Sequence, residues 1–189
     1  MSRIHNFGAG PAALPLPVLE KAREELLEFG GAGASIMELS HRSVEFSRAC
    51  SAAEQNIRRL MNISNDYAVL FMHGGASSQF ALIPLNFRNG ERTADYIHTG
   101  HWSARAIKEA KISGPVNIAW NGGPEHYARV PSQDEIKLGH DAAYLHICSN
   151  ETIEGLCYPV FPESDAPLVA DMSSEIMSRA IDVNRFGII

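Results

Sequence analysis

The chain has 189 residues, 45% of them hydrophobic and 20% charged, which is typical of a globular protein with one sizeable core. Its formal net charge of −6 argues against a nucleic-acid-binding protein, because such proteins need a broad positive field, and we expect small-molecule partners instead. The sequence has neither a signal-peptide pattern nor an apolar stretch long enough to cross a membrane, so we expect a cytoplasmic protein without a membrane partner.

The cysteines and histidines follow no metal-binding spacing. Cys50, Cys148 and Cys157 are odd in number and include no Cys-x-x-Cys pair, so we expect neither a disulfide framework nor a zinc site. The eight histidines form no His-Glu-x-x-His pattern. We therefore expect no metal site, and we interpret the cysteines as reduced residues that fill the core.

Two amphipathic helices are predicted in the first third of the chain. Apolar residues recur at helical spacing over residues 17–29, where Gly30 is placed to end the helix, and again over residues 43–61. A turn over residues 62–66 follows. The apolar run at residues 67–72 has the length and composition of a strand that is covered on both faces.

Strands then alternate with helices. Residues 73–78 read as a small flexible loop, and the helix after it, over residues 79–83, is expected to bend or end at Pro84. Ser132 and Glu135 form a capping-box pattern that opens a short helix. The alternation predicts an α/β fold with a mostly parallel sheet and helices on both faces. The remaining predicted elements are strands over residues 94–97, 116–120, 142–147 and 167–171 and a helix over residues 101–110.

The chain ends within an apolar run at residues 186–189. A sequence that stops inside a buried strand looks interrupted, so we expect an incomplete domain. A natural edge strand at the terminus is the alternative interpretation.

Candidate ligand-binding groups follow several of the predicted strands, where open α/β sheets bind their ligands. Residues 75–78 could cradle a phosphate with the free N–H groups of a helix start, although a plain turn with a serine cap is the commoner explanation. This loop is neither a P-loop nor a Gly-x-Gly-x-x-Gly dinucleotide motif. Trp102 could stack on a flat ligand, or it could simply fill the core.

Two further groups complete a possible site. Thr152 lies in a polar segment that could donate hydrogen bonds or form a turn, and Asp171 could pair with a heterocyclic nitrogen or cap the next residues. A phosphate cradle, a stacking ring, a threonine hydroxyl and a carboxylate together match pyridoxal 5′-phosphate, whose protonated pyridine ring is an electron sink.

Six stretches, in order, resemble the phosphoserine aminotransferases, which have the aspartate-aminotransferase-like (type I) fold of pyridoxal-phosphate enzymes. They include Ser-His-Arg at residues 40–42 and Asn-Glu-Thr at residues 150–152, and they span residues 6–15, 36–42, 73–80, 94–102, 150–155 and 170–183. The resemblance implies that Ala76 and Ser77 hold the cofactor phosphate, Trp102 stacks on its ring, Thr152 bonds its phenolic oxygen and Asp171 pairs with its ring nitrogen.

The resemblance also implies substrate contacts. His41 and Arg42 look like the family's receptors for the substrate's phosphate or side-chain carboxylate, serving the site of the neighbouring subunit. Gly8 occupies a position where some members have serine, so it could contact the substrate only through its backbone. Residues 112–131 match the family poorly.

The family's reaction transfers the amino group of L-glutamate to a phosphorylated 2-oxo acid, 3-phosphohydroxypyruvate. The products are phosphoserine, for serine biosynthesis, and 2-oxoglutarate, and some bacterial members also serve pyridoxine biosynthesis. The resemblance implies a homodimer. It divides this chain into an N-terminal arm, residues 1–15, and a partial large pyridoxal-phosphate-binding domain, residues 16–189, without the rest of that domain or the small domain.

The family's Schiff-base lysine follows the segment that residues 182–189 match, so we assign no catalytic residue within this chain. Its four lysines, Lys21, Lys108, Lys111 and Lys137, lie in predicted helices or at their ends. We expect the chain alone to be inactive and poorly stable. One alternative is a non-catalytic module that binds pyridoxal phosphate or a partner subunit. Another is an unrelated α/β protein with a phosphate ligand.

Overall fold

The computed structural model describes residues 3–8, 10–88 and 90–189, and it divides the chain into two compact units, Met1–Val69 and Leu70–Ile189. The family-based division into an arm and a partial large domain follows other boundaries and stays a prediction.

The first unit contains two α-helices, α1 (Leu16–Glu24) and α2 (Val44–Met61). Helix α2 agrees with the prediction: the Ser43 hydroxyl accepts a hydrogen bond from the Phe46 N–H at 3.2 Å, and Asn62, at a φ of 53°, ends the helix in the left-handed conformation that asparagine tolerates.

Helix α1 ends at Glu24, earlier than predicted. Residues 25–27 turn, and the Phe29 N–H donates to the Ala34 carbonyl at 3.0 Å, which closes a separate loop. No residue of α1 is buried. The next apolar side chains, Leu26 and Leu27, are 49% and 85% exposed, so little packing favours a longer helix. The helical spacing up to residue 29 therefore did not decide where the helix ends.

The strand predicted over residues 67–72 is wrong. The exposed fractions of Leu70, Phe71 and Met72 are 72%, 57% and 57%, and the segment has no regular secondary structure. A strand needs a neighbouring strand to pair with, and the two sheets formed by the described residues do not include this segment.

The second unit is built on a four-stranded parallel sheet, as the α/β prediction expected. Its strands are β1 (Ala94–His98), β2 (Val116–Asn121), β3 (Leu145–Cys148) and β6 (Leu168–Asp171), in the order β2-β1-β3-β6. A small antiparallel hairpin of β4 (Asn150–Glu151) and β5 (Leu156–Cys157) follows β3. Beyond β6, Ile188 forms a single parallel bridge with Val169, so the terminal apolar run lies along the sheet.

Two helices accompany the sheet, α3 (Gly75–Phe87) and α4 (His101–Ser113). Helix α3 begins within the predicted loop and continues through Pro84, which neither begins nor ends it. A proline removes only one intrahelical N–H, and Pro84 is fully buried, so packing compensates for that missing hydrogen bond.

Both faces of the sheet are covered, so consecutive residues of β1, β3 and β6 are buried whichever face they point to. Helices α3 and α4 pack on one face, where Phe80 and Ile107 meet Tyr96. The opposite face, around Ile97 and Ile147, is covered by connecting segments that include the 3-10 turns Gln133–Glu135 and Val183–Arg185. The predicted capping box at Ser132 and Glu135 is present, but it opens a single 3-10 turn and not the short helix that was predicted.

The cysteine prediction holds only in part. All three thiols are free and Cys148 is buried, but Cys50 and Cys157 are exposed and fill no core. Cys50 lies on α2, where only Met61 is buried, and Cys157 lies on the short β4–β5 hairpin. Among the described residues, no helix is long and apolar enough to cross a membrane.

Candidate functional site

The carboxyl ends of β1, β3 and β6 bring three predicted cofactor-binding residues, Trp102, Thr152 and Asp171, to one edge of the sheet. The register pairs Cys148 with Asp171, so the ends of β3 and β6 lie side by side. The Cys148 Sγ lies 4.0 Å from Asp171 Oδ2, and the Asn150 amide donates to the Ser174 hydroxyl at 2.9 Å. The loops that follow the two strands are thereby tied together.

The start of α4 is capped by carboxylates that come from the β4–β5 hairpin. Glu151 is completely buried, and its two oxygens accept the N–H groups of Trp102 at 2.8 Å and Ser103 at 2.9 Å. Glu154 accepts the His101 N–H at 2.8 Å. The first three N–H groups of α4 are therefore satisfied, and the negative charges lie where the helix dipole favours them.

This close approach depends on Gly100. A Cβ atom at this position would lie 2.5 Å from the Glu154 carboxyl carbon and 2.9 Å from that of Glu151. The Ser103 hydroxyl completes the cap by accepting the N–H groups of Thr99 and Gly100, both at 2.9 Å. Any side chain at residue 100 would push the hairpin carboxylates away from the helix.

Trp102 and Thr152 are in direct contact. The indole Nε1–H of half-buried Trp102 donates to Thr152 Oγ1 at 2.9 Å. A threonine hydroxyl has one donor and two acceptor positions, so Thr152 can still donate its own O–H to a ligand. The guanidinium of Arg105 lies over the Trp102 ring, 5.7 Å from its centre.

The start of α3 differs from that of α4, because no side chain caps it. Gly74 precedes the helix with a φ of 94°, a left-handed conformation that suits glycine. The first turn contains Ala76 and Ser77, and the Ser77 hydroxyl accepts a hydrogen bond from Arg105 Nη2 at 3.4 Å. Uncapped N–H groups, the helix dipole and a nearby guanidinium make this turn suitable for an anion, and the serine cap considered above is not formed.

The two oxygens of Asp171 have different surroundings. Oδ1 accepts hydrogen bonds from the N–H and the hydroxyl of Ser173, at 3.0 and 2.6 Å, so the carboxylate does cap the following turn. Among the described residues, Oδ2 has only the distant Cys148 thiol beside it. The side chain is partly exposed, so this second oxygen can pair with a ligand.

Two buried groups behind the edge are held uncharged. Burial lowers the pKa of His146 to about 4, although the nearby Asp171 carboxylate opposes this shift. The His146 ring stacks on Tyr96 with 4.8 Å between ring centres. Burial and the charges of Glu151 and Asp171 raise the pKa of the Cys148 thiol. The thiol therefore stays protonated at neutral pH and is no nucleophile.

The other three predicted site residues lie in the first unit. The Gly8 N–H donates to Asn6 Oδ1 at 2.8 Å. His41 and Arg42 are exposed, and the Arg42 N–H donates to the Ser40 hydroxyl at 3.2 Å. Neither side chain forms an ion pair within the described residues. Their roles, like those of the cofactor-binding residues, stay predictions.

Sequence reasoning missed Glu151, Glu154 and Arg105. A signal for the two carboxylates was present, because α4 begins after Gly100, which has no side chain to cap the helix, so its N–H groups needed acceptors from elsewhere. Arg105 follows Trp102 by three residues and so lies on the same side of the helix.

Among the described residues, none of the four lysines forms a hydrogen bond or an ion pair with a predicted cofactor-binding residue. Lys21 pairs with Glu25 on α1 at 3.6 Å, and Lys108 and Lys111 are exposed in the second half of α4. Lys137 is also exposed, and its Nζ donates to the Asp134 carbonyl at 3.0 Å. Among residues 3–8, 10–88 and 90–189, no group of three or more His, Cys, Asp or Glu side chains could hold a metal ion.

Comparison with known sequences identifies relatives over the whole chain. The family "Aminotransferase class-V" matches residues 4–189. The chain is 51% identical to the phosphoserine aminotransferase of Marinomonas sp. (strain MWYL1), over 100% of this chain and 53% of that protein. It is 53% identical to that of Pseudomonas fluorescens (strain SBW25), over 99% of this chain and 52% of that protein. The chain thus spans about half the length of these curated relatives.

Solved structures give the same result. The phosphoserine aminotransferase of Bacillus circulans subsp. alkalophilus matches with a TM-score of 0.94 and 46% identity, over 98% of this chain and 52% of that one. A pyridoxal-phosphate-bound phosphoserine aminotransferase from Trichomonas vaginalis matches with a TM-score of 0.92 and 40% identity, over 98% of this chain and 56% of that one. The predicted resemblance and the predicted fold class are both confirmed.

Proposed function

Because this chain belongs to the class-V aminotransferase family, we propose that the carboxyl edge of its sheet binds pyridoxal 5′-phosphate for the reaction of a phosphoserine aminotransferase. The observation that carries the proposal is the contrast between two helix starts at this edge. The start of α4 is filled by Glu151 and Glu154, whereas the start of α3 is uncapped and faces Arg105. Only α3 is free to receive a phosphate.

The residues at this edge fit the chemistry of the cofactor. The N–H groups of Ala76 and Ser77 and the Ser77 hydroxyl would hold its phosphate, and the Trp102 ring would stack on its pyridine ring. Thr152 accepts the indole N–H and keeps its own O–H to donate to the phenolic oxygen. The partly exposed Asp171 has one oxygen without a close hydrogen bond, which would hold a proton on the ring nitrogen.

When bound, the cofactor supplies an electron sink for bonds at the substrate's α-carbon. The chain's contribution is to keep that sink effective. The Asp171 carboxylate stabilises the positive charge of the ring nitrogen, while buried His146 stays neutral behind it and brings no competing positive charge.

The substrates that we propose are L-glutamate and 3-phosphohydroxypyruvate, giving phosphoserine and 2-oxoglutarate in cytoplasmic serine biosynthesis, with a further use in pyridoxine biosynthesis. His41 and Arg42 would bind the phosphate or side-chain carboxylate of the substrate in a homodimer, and Gly8 would contact the substrate through its backbone. Support comes from the relatives' names and from the exposed Arg42 guanidinium, which can form a two-pronged pair with either anion.

A polypeptide of residues 1–189 alone is proposed to bind the cofactor without catalysing transamination, because its four lysines are exposed and, among the described residues, none has a hydrogen bond or an ion pair with a residue of the proposed site. The positions of the lysines are the one observation that supports the alternative interpretation, a non-catalytic module that binds pyridoxal phosphate. Borohydride reduction after addition of pyridoxal phosphate tests it. We expect no site-specific adduct on these lysines, and a single stoichiometric adduct on one of them would contradict the proposal.

The proposed activity is tested with the protein expressed from its complete coding sequence. Asp171→Asn removes the negative charge beside the ring nitrogen, so we expect kcat for glutamate with 3-phosphohydroxypyruvate to fall at least about a hundredfold. Asp165→Asn makes the same chemical change at an exposed position before β6 and should leave kcat unchanged. A wild-type protein that binds no pyridoxal phosphate, or an Asp171→Asn variant with full activity, would contradict the assignment.

A further inference from the structure

We propose that Glu151 is a positioning residue for the cofactor, because its buried carboxylate fixes both Trp102 and Thr152 in the arrangement that binds the pyridine ring. The inference rests on the proposed function. It assigns a task to a side chain that has no contact with the proposed ligand.

The carboxylate of Glu151 is unusual because it is completely buried and, among the described residues, has no cationic partner. A buried charge is tolerated only where hydrogen bonds replace its hydration. Its donors are the Thr99 hydroxyl at 3.2 Å and the N–H groups of Trp102 and Ser103. All three come from the short segment that carries Trp102. Moving that segment away would leave the buried carboxylate without its hydrogen bonds, and this cost keeps the segment in place.

The same residue fixes the other half of the ring-binding pair. Glu151 directly precedes Thr152, so the main chain of Thr152 is held wherever the carboxylate is held. Trp102 is then fastened at two points, its backbone N–H to Glu151 and its indole N–H to Thr152. Since the Thr152 hydroxyl already accepts the indole N–H, the direction of its remaining O–H is restricted as well.

Glu154 offers an internal comparison on the same hairpin. It accepts one N–H, from exposed His101, and its side chain is only half-buried. It touches neither Trp102 nor Thr152 through any hydrogen bond of the described residues. Glu154 therefore caps the helix, whereas Glu151 caps it and also orients the two residues proposed to contact the ring.

Matched glutamine substitutions separate positioning from capping in the protein expressed from its complete coding sequence. Glu151→Gln keeps the side-chain shape, removes the charge and turns an amide N–H₂ toward a backbone donor. Glu154→Gln makes the same change at the neighbouring cap, and Glu109→Gln makes it near the far end of α4. Each variant is titrated with pyridoxal phosphate. The visible circular dichroism per bound cofactor and the hydrogen exchange of the Trp102 indole N–H in cofactor-free protein are also recorded.

We expect Glu151→Gln to raise the dissociation constant of pyridoxal phosphate about tenfold or more, the effect of one lost charged hydrogen bond. Its visible circular dichroism should change and its indole N–H should exchange faster. Glu154→Gln should stay within about threefold of wild type, because the glutamine oxygen can still accept the single His101 N–H and this bond lies away from the ring. Glu109→Gln should match wild type in all three measurements.

A Glu151→Gln variant that is less stable but binds pyridoxal phosphate with wild-type affinity and dichroism overturns the inference and leaves the proposed function standing. A wild-type protein that binds no pyridoxal phosphate overturns the proposed function first, and the inference with it. If Glu151→Gln does not fold, Thr99→Val decides, because it removes one donor and keeps the charge. A measurably weaker affinity in Thr99→Val supports positioning, and an unchanged affinity contradicts it.

Discussion

The two units of this chain are stabilised in different ways. Among the described residues of Met1–Val69, only Ser35 and Met61 are buried, whereas Leu70–Ile189 has a buried cluster on each face of its sheet. The helices of the first unit are set by local signals such as the Ser43 cap and the left-handed Asn62. The difference teaches that an amphipathic pattern with local caps can define a helix that buries little of its surface, while a strand requires a hydrogen-bonded neighbour.

The largest expected effect on stability comes from shortening a buried side chain of the second unit, and an exposed side chain of the first unit serves as the comparison. Ile147→Ala removes a fully buried side chain from β3 and should cost about 4 kcal/mol of unfolding free energy. Leu60→Ala on α2 removes a side chain that is 68% exposed and should cost less than about 0.5 kcal/mol. Urea denaturation measures both changes. Equal losses would show that the apolar face of α2 is packed in solution, which would remove the contrast.

A pH titration sharpens the same contrast, because the second unit buries a histidine. The folded pKa of His146 is about 4, below its ordinary value of 6.5, so the unfolded chain takes up the proton first as the pH falls. Above pH 6.5 the histidine is neutral in both states and does not reduce the free energy of unfolding. As the pH falls from 6.5 toward 4, protonation of the unfolded chain lowers that free energy, by about 3 kcal/mol in all.

Replacing this residue isolates its contribution. His146→Gln cannot titrate, so the difference in urea midpoint between pH 7 and pH 4.5 should be smaller than in the wild type. Carboxylates protonate in both proteins and cancel in the comparison. An identical pH dependence in the two proteins would contradict the neutral, buried assignment of His146.

The third prediction concerns a local signal in the first unit. Ser43→Ala removes the hydroxyl that caps α2 and should destabilise that helix by about 1 kcal/mol. Hydrogen exchange followed by mass spectrometry should show faster exchange in the first turns of α2, with no change in the strands of the second unit. Faster exchange in β1 or β3 as well would show that the two units unfold together.

Most of the second unit could be predicted from sequence because its strands are short runs rich in apolar residues between turn signals. Strand order and register were not predicted, because a sheet covered on both faces has no alternation of apolar and polar residues to fix them. The segment at residues 67–72 has the same composition and still forms no strand. Composition reports what a strand would bury, and it does not report whether a neighbouring strand exists. The early end of α1 has a related cause, since the apolar side chains of Leu26 and Leu27 stay largely exposed.

Trp102, Thr152 and Asp171 could be chosen as candidates from sequence because each residue type carries its own chemistry, and their roles stay predictions. The structure adds that Trp102 and Thr152 are hydrogen-bonded to each other. Glu151 was not predicted, although it lies in the Asn-Glu-Thr segment that carried the resemblance. Its partners are about fifty residues earlier in the chain, and only the folded sheet brings the β4–β5 hairpin to the start of α4. Patterns of neighbouring residues in the sequence do not predict such contacts between distant segments.

The smallest effects are expected from two ion pairs, one in each unit, in which a glutamate pairs with the arginine four residues later. Glu54 and Arg58 pair at 2.9 Å on α2, with side chains 41% and 22% exposed, and Glu175 pairs with Arg179 at 2.6 Å, with Glu175 only 5% exposed. Glu54→Gln should cost less than about 0.5 kcal/mol, because solvent screens the pair and the glutamine oxygen can still accept from Arg58.

Glu175→Gln should cost at least twice as much as Glu54→Gln, because its carboxylate is screened less by water. Arg179 also donates to the carbonyls of Tyr158 and Pro159, so a weaker hold on this arginine loosens the chain after the hairpin. Raising the salt concentration in the denaturation experiment should shrink the Glu54→Gln effect and leave the Glu175→Gln effect nearly unchanged. If both effects respond equally to salt, burial does not distinguish the two units at the level of single charges.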